Sequence, residues 1–348
     1  MNVRVHKIAS VVYRLGFEKD VEITEALEPR AGHSIVVRAL SEKRVYSELE
    51  LQNGRMSKIF RGDIIVGALG RRRALRGYSG DVPRSIAVGD TVQLLNRGGV
   101  IGGSASSHMA LGLPVSCEVL GMPVRGGKIV KLADAKLPEK KSLDGLDLPP
   151  IVAVSGTCME SGKTLFLSEV TQELSKRGLS IAGGKLTGIA CLRDLISMED
   201  HGASFTASFL DAGLSSTAGV DGPALVKVAR TVIAHLASFR PDLLVLELGD
   251  GVIGDYGVLD ILLDSEIRGK ISMHAFCAGD LVGAWGGERF LREHGIPVDI
   301  FSGPATDNAV GVEYIEKAFG RRAINAHRNP EDVASAVLAH LEKTKALR

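Results

Sequence analysis

The residues best placed to do chemistry fall within positions 151–170, IVAVSGTCMESGKTLFLSEV. A turn of small and polar residues, Gly156-Thr157-Cys158-Met159-Glu160-Ser161-Gly162, runs straight into Lys163 and Thr164. In such a turn successive backbone N–H groups converge on an anion at the N-terminus of the helix that follows. A lysine at that point reaches the outer phosphates of a nucleotide, and the adjacent threonine hydroxyl ligates Mg2+. The candidate ligand-contacting residues are therefore Gly156, Thr157, Cys158, Met159, Glu160, Ser161, Gly162, Lys163 and Thr164. A plain glycine turn would leave the Lys-Thr pair at the helix start without a role.

Such a turn needs a strand before it and a helix after it. Residues 151–154 form a short apolar run suited to a buried parallel strand, and Leu165, Phe166, Leu167, Val170 and Leu174 mark an amphipathic helix. The spacing departs from the regular Gly-x4-Gly-Lys-[Ser/Thr]. Counting back from Gly162 puts Thr157 at the first position, so the turn is one residue longer.

Other candidates stand at the ends of apolar runs further along. Lys185 closes a strand expected over 181–188, and ligands of open α/β sheets bind outside the carboxyl ends of strands. The segment 241–251, PDLLVLELGDG, ends a run of aliphatics in Glu247 and a glycine turn. That is how an acidic residue is presented to Mg2+, with Glu247 the first choice and Asp250 the second. Asp194, Glu199 and Asp200 lie between these two strands, ahead of a helix expected over 204–210. The polar turn Thr306-Asp307-Asn308 follows a strand expected over 298–302. Asn308 there can contact a nucleotide base or cap the next helix, and both readings stand. The chain has no Asn-Lys-x-Asp, the usual guanine reader of P-loop GTPases, which favours ATP.

From residue 151 onward apolar strands alternate with helical patterns, as over 223–239, 285–294, 309–319 and 330–343, which predicts a mostly parallel α/β sheet. The stretch before it is different. Runs rich in Val and Ile over 3–15, 33–40, 47–51, 63–69 and 91–95 are separated by glycine turns, which predicts a small β barrel or sandwich with one possible helix over 22–27. The polar, proline-bearing stretch 133–150 is expected to link the two, giving domains over 1–148 and 149–348. Two features of the first domain invite a functional reading. The basic run 71–76 could meet phosphates or an acidic substrate, against the plainer reading of a solvated hairpin tip, and the glycine-dense stretch 96–104 suits barrel turns.

With 348 residues the chain is long enough for two buried cores, and its 45% apolar and 24% charged content is that of a globular protein. A formal net charge of +1 gives no global field for nucleic acid or anionic membrane, so neither is an expected partner. No apolar run approaches a membrane span, and the N-terminus has no apolar leader-like core. The four cysteines lie far apart with no Cys-x-x-Cys pair, which argues for a reducing cytoplasm.

The pattern Gly156-Thr157-x-x-Glu160-x-Gly162-Lys163-Thr164 resembles the loop of dethiobiotin synthetase, GTxxExGKT, at every fixed position. The resemblance extends over residues 149–348, with Lys185, Asp200 and Glu247 at matching places. It implies that Lys163 and Lys185 hold the transferring phosphoryl group, that Thr164, Asp200 and Glu247 hold Mg2+, and that Glu160 supports substrate or loop geometry. Two departures stand out. The turn here is Glu247-Leu248-Gly249-Asp250-Gly251 where that family has Glu-Gly-Ala-Gly-Gly, and the β domain has no counterpart there. The second domain is also similar to uncharacterised P-loop proteins related to a D-glutamate N-acetyltransferase family, where a phosphate loop can hold coenzyme A.

The expected activity is that of an enzyme dependent on ATP and Mg2+, of ligase or synthetase type. It would phosphorylate a carboxylate or carbamate of a small-molecule substrate, working as a homodimer. The alternatives are a CoA-dependent N-acyltransferase acting on an amino acid, and a nucleotide-driven regulatory NTPase whose β domain docks a partner.

Overall fold

The computed structural model describes residues 1–344 and 346. The chain divides into two compact units. The first contains Met1–Leu137 together with two later segments, Ile189–Arg193 and Phe209–Gly219. The second contains Pro138–Gly188, Asp194–Ser208 and the described residues from Val220 onward.

In the first unit a ring of strand pairings closes on itself. Ser116–Arg125 pairs antiparallel with Ser34–Ala39, which pairs antiparallel with Ile64–Leu69. Ile64–Leu69 pairs in parallel with Val100–Ser107, and that strand pairs antiparallel with Thr91–Leu94. Thr91–Leu94 returns to Ser116–Arg125. Closure leaves these five strands no open edge, and Ile35, Val37, Ile65, Leu69, Val92, Ile101 and Val119 are buried side chains of the unit's core. The unit is thus a barrel, one of the two forms expected.

Two local expectations for this unit fail. Residues 3–15 are not one strand: Asn2–Arg4 and Lys7–Ile8 are short strands, and Ser10–Leu15 is a 3-10 helix. In place of a helix over 22–27 there is a strand, Asp20–Thr24, whose alternating Val21 and Ile23 are buried while Asp20 and Glu22 are exposed. The period of two wins over helix propensity because one face has the barrel to cover.

The second unit is built on seven parallel strands. In chain order they are β1 (Ile151–Gly156), β2 (Ile181–Thr187), β3 (Phe205–Ser208), β4 (Leu243–Leu248), β5 (Ile271–Cys277), β6 (Ile300–Ser302) and β7 (Arg322–Ala323). Their spatial order is β3-β2-β4-β1-β5-β6-β7, every neighbouring pair parallel. The helices are α1 (Lys163–Lys176), α2 (Arg193–Asp200), α3 (Gly222–Ala237), α4 (Val258–Leu263), α5 (Ser265–Arg268), α6 (Leu281–Glu293), α7 (Ala309–Phe319) and α8 (Pro330–Lys343). The helix expected over 204–210 is instead β3, an edge strand paired from Ala182↔Phe205 to Lys185↔Ser208. Phe205 stacks on Phe239 with ring centroids 4.0 Å apart, so two exposed aromatics on the outer edge shield one face of each other.

Side-chain alternation along the central strands sorts them between two faces. Val152, Val154, Val245, Met273 and Ala275 share one core with Phe166, Leu167, Val170 and Leu174 of α1 and with Val333, Val337 and Leu341 of α8. On the opposite face Leu246 and Leu236 of α3 pack around Gly184, and Phe276 meets Gly287 of α6. Glu247 lies two residues after Val245 and so falls on the α1 side. Lys185 lies two residues after Gly183, whose missing side chain makes room for Met198 of α2, and points to that side as well. No described helix is long and apolar enough to cross a membrane.

Candidate functional site

The phosphate loop lies between β1 and α1. Thr157 N–H donates to the Cys277 carbonyl at 3.0 Å and anchors the loop to the neighbouring strand. A Cβ on Gly156 would lie 2.4 Å from Ser161 Oγ and 2.6 Å from the Cys277 carbonyl, so the first turn closes only around a glycine. Gly162, at φ +95°, passes the chain into α1 in the left-handed region that glycine adopts freely. The Glu160 backbone is also left-handed, at φ +64°, and its side chain is exposed at the loop's tip. The first N–H groups of α1 have no intrahelical acceptor, so the loop opens onto a helix N-terminus with positive dipole.

Lys163 is 4% exposed. Its ammonium donates to the Cys158 carbonyl at 2.8 Å and to Ser161 Oγ at 3.4 Å, folded back across the loop. Burial pulls its pKa below the ordinary lysine value, against the opposing pull of Glu247, Cys277 and Asp250. Thr164 Oγ1 donates to Glu247 Oε2 at 3.1 Å. Glu247 is 3% exposed, and burial raises its pKa against the attraction of Lys185 and Lys163. Lys185 forms an ion pair with Asp194, and the Asp194 charge acts on Glu247 too. Two lysines, two carboxylates and a threonine hydroxyl therefore gather at the carboxyl ends of β1, β2 and β4.

The turn after Glu247 is fitted to the loop. Val252 N–H donates to the Gly156 carbonyl at 3.0 Å. A Cβ on Gly251 would stand 2.4 Å from the Thr157 carbonyl oxygen, and one on Gly249 would stand 2.4 Å from that of Thr187. On the other side Gly303, at φ +88°, lies against Ser161 and Ala278, and its Cα is 3.1 Å from the Cβ position of Gly162. The 303–308 turn therefore abuts the phosphate loop.

Among the sequence candidates, Lys163, Thr164, Lys185 and Glu247 come together. Asp200 does not join them: it is exposed at the last residue of α2, while Asp194 occupies the first turn of that helix, beside Lys185. Asn308 caps α7, its side chain accepting from Gly311 N–H at 3.3 Å. It also lines a cavity of about 410 Å³ whose walls include Thr306, Asp307, Glu316, Arg322, Asn325 and Arg328. Motif spacing does not mark Asp194 as a site residue. The signal lies in its position: the first turn of the helix after a strand sits near that strand's carboxyl end.

The site fits a Mg-nucleotide. Mg2+ is commonly held by one or two protein groups plus phosphate oxygens and water, which matches one buried carboxylate and one hydroxyl. The glycine-lined loop supplies the cradle that a Cβ at Gly156 or Gly251 would fill. Among the described residues no cluster of three or more His, Cys, Asp and Glu side chains could hold a metal by itself.

No family model matches this chain, and no curated protein matches it. Among solved structures it is similar to the signal recognition particle receptor FtsY of Elizabethkingia anophelis, with 13% identity over 52% of this chain and a TM-score of 0.38. It is also similar to the 54 kDa signal recognition particle protein of Aeropyrum pernix K1 in complex with GDP, with 16% identity over 59% of this chain and a TM-score of 0.38. A third, the cell division protein FtsY of Thermotoga maritima, has 15% identity over 59% of this chain, 72% of its own length, and a TM-score of 0.38. The chain spans 58% and 51% of the length of the first two.

Proposed function

We propose that the second unit binds Mg-ATP at the phosphate loop and phosphorylates a carboxylate or carbamate of a small metabolite, in the manner of dethiobiotin synthetase. What supports this most is one observation: Lys163 and Lys185 share a site with Thr164 and the buried Glu247. Phosphoryl transfer asks little covalent help of a protein; positioning and neutralisation of spreading negative charge do most of it. A bound Mg-nucleotide supplies the transferable phosphoryl group.

The chain's own residues then have distinct tasks. The loop N–H groups and Lys163 bind phosphate oxygens, the ammonium exchanging its bond to the Cys158 carbonyl for a charged partner. Thr164 and Glu247 hold the metal, with Asp194 as the second carboxylate at hand. Lys185, steadied by Asp194, faces the acceptor side and offers positive charge to the group being transferred. The cavity beside Asn308 and Asn325, next to the loop through Gly303, suits the base.

The test is a thermal-shift series with ATP, GTP and acetyl-CoA, each with and without Mg2+, followed by phosphate release in the presence of small carboxylates and amines. Stabilisation by Mg-ATP with substrate-dependent release supports the proposal. Stabilisation by acetyl-CoA alone would replace it with acyl transfer, and GTP alone would replace the nucleotide.

A second reading, a regulatory nucleotide switch, is favoured by one observation. The 250–257 turn bonds to the phosphate loop through Val252 and presents Ile253 at 71% exposure, so nucleotide contacts and an apolar surface residue share one segment. Slow hydrolysis that a protein partner stimulates would favour it over the metabolic enzyme. The homodimer belongs to the proposal too: Val282 and Trp285 of α6 and Val310 and Tyr314 of α7 are exposed apolar side chains, and light scattering reads the mass directly.

A further inference from the structure

A second concentration of positive charge lies in the barrel unit, and the phosphate-loop chemistry does not use it. Strand alternation splits the basic run 71–76. Arg71 and Arg73 both reach Asp81, at 3.5 Å and 2.6 Å, whereas Arg72 turns the opposite way and is 4% exposed. The plainer expectation of a solvated hairpin tip therefore fails for Arg72.

The Arg72 guanidinium lies 5.7 Å from the Tyr46 ring centre and 5.8 Å from that of Tyr78. Its Nη1 donates to Tyr46 Oη at 3.0 Å and to the Leu95 carbonyl, and its Nε is buried without a partner. The Arg97 guanidinium lies 4.8 Å from the same Tyr46 ring, and its Nε is also buried and unpartnered. Lys43 sits 5.4 Å from the Tyr78 ring and donates to Tyr78 Oη at 2.9 Å, to the Leu111 carbonyl at 2.7 Å and to the Leu113 carbonyl, so it brings charge to the cluster more than a free donor. Tyr46 and Tyr78 meet edge to face at 5.4 Å. Tyr46 holds φ +55°, a left-handed backbone that a side chain this large rarely adopts, and such strain gathers at ligand sites.

Among the described residues, none of these three cations has a carboxylate within ion-pair distance. Arg72 is buried and Lys43 and Arg97 are half-buried; a buried charge without a counter-charge is costly, and an aromatic face returns only part of that cost. The Tyr46 ring lies within cation–π range of both guanidinium groups, and the two Nε groups left without a partner are the donors that an oxyanion would meet.

We propose that Lys43, Arg72 and Arg97, set on Tyr46 and Tyr78, form a binding site for the oxyanion group, carboxylate or phosphate, of a small ligand. The site is independent of the phosphate loop and of the activity assigned to it. It gives the barrel a recognition role that neither the loop nor the dethiobiotin synthetase resemblance supplies.

The test titrates the full chain with sodium phosphate and, separately, sodium glutarate at low ionic strength, followed by calorimetry. The proteins are the wild type, the phosphate-loop variant Lys163→Met, and Arg97→Gln, Lys43→Gln and the charge-keeping Arg97→Lys, each made in the Lys163→Met background. Saturable binding of one anion is expected to persist in Lys163→Met, where the phosphate loop no longer contributes, and to weaken by about tenfold when Arg97→Gln or Lys43→Gln is added to it, less when Arg97→Lys is added. Phosphate alone would identify a phosphorylated ligand, glutarate alone a carboxylate, and both a general oxyanion site. No saturable binding to the wild type overturns the proposal whether or not the variants fold. So does binding that survives the barrel substitutions or disappears in Lys163→Met.

Discussion

Replacing Lys163 by methionine should stabilise the nucleotide-free protein while removing its response to nucleotide. The stem of Lys163 is packed in the loop, and methionine keeps a similar unbranched volume there. What the variant loses is the ammonium's bond to the Cys158 carbonyl at 2.8 Å and a longer one to Ser161 Oγ at 3.4 Å, together worth about 2–3 kcal/mol for a charged donor. What it gains is release from burying a cation at 4% exposure, a penalty of several kcal/mol per ion, the same burial that lowers the Lys163 pKa. A net gain of about 1 kcal/mol raises Tm by about 2–4 °C in a unit of this size. Mg-ATP at about a hundred times its Kd adds about 2.7 kcal/mol to the wild type, or about 5–11 °C, and should add nothing to the variant. Differential scanning fluorimetry with and without Mg-ATP reads both quantities. A variant that melts below the wild type would refute the argument from burial. A variant that keeps the Mg-ATP shift would refute the role of Lys163 in holding phosphate.

Glu247→Gln should leave Thr164 a hydrogen-bond partner but remove the metal's carboxylate, weakening Mg2+-dependent nucleotide binding about 10–100-fold in a Mg2+ titration. Gly251→Ala places a Cβ 2.4 Å from the Thr157 carbonyl oxygen, and backbone must move to relieve it; an increase in nucleotide Kd of about tenfold and a stability loss of about 1–3 kcal/mol should appear together by calorimetry and chemical denaturation. The His274 imidazole is buried with Nδ1 at 2.8 Å from the Pro297 carbonyl and Nε2 at 2.8 Å from Ser155 Oγ, and burial lowers its pKa below 6.5. Below pH 6.5 the unfolded chain takes up a proton that the folded one refuses, so its contribution to stability is full above that pH. It falls by about 1.4 kcal/mol per pH unit on acidification until the folded pKa is reached. Denaturation midpoints from pH 7.5 to 5 should show that slope and lose part of it in His274→Gln.

The parts of the site that were legible in the sequence are those where backbone geometry dictates residue type. A loop that must fold around an anion needs Gly156 and Gly162, and its chemistry needs Lys163 and Thr164 in fixed order, so local spacing was enough. Glu247 was legible because a carboxylate closing a strand, common by itself, becomes specific in a domain that also carries a phosphate loop. Asp194 was not, since its importance comes from pairing with Lys185 across a loop, a relation that spacing does not carry. The strand Phe205–Ser208 looked helical for a related reason: only its neighbour Ile181–Thr187 makes it a strand. In the first unit, closure of the barrel and the inward turn of Arg72 depend on pairings between distant strands, and the basic run gave its charge without its direction.

The composition of the first unit sets a timetable for synthesis. Asp211 receives Tyr13 Oη and, at 3.0 Å, Arg14 Nη1, and Asn96 Nδ2 donates to the Ala190 carbonyl at 2.6 Å, so the barrel unit is finished with residues made long after its own strands. After Leu137 the chain must grow by 82 residues (219 − 137) before Gly219 is in place. At about 5–20 residues per second a ribosome needs about 4–16 s to deliver them. Through that interval the nascent barrel lacks its last segments, and the phosphate loop has already emerged without β4 and Glu247. Neither unit can therefore be released by a single cut in the chain, and a fragment ending at Leu137 should behave as an incomplete fold that recruits chaperones.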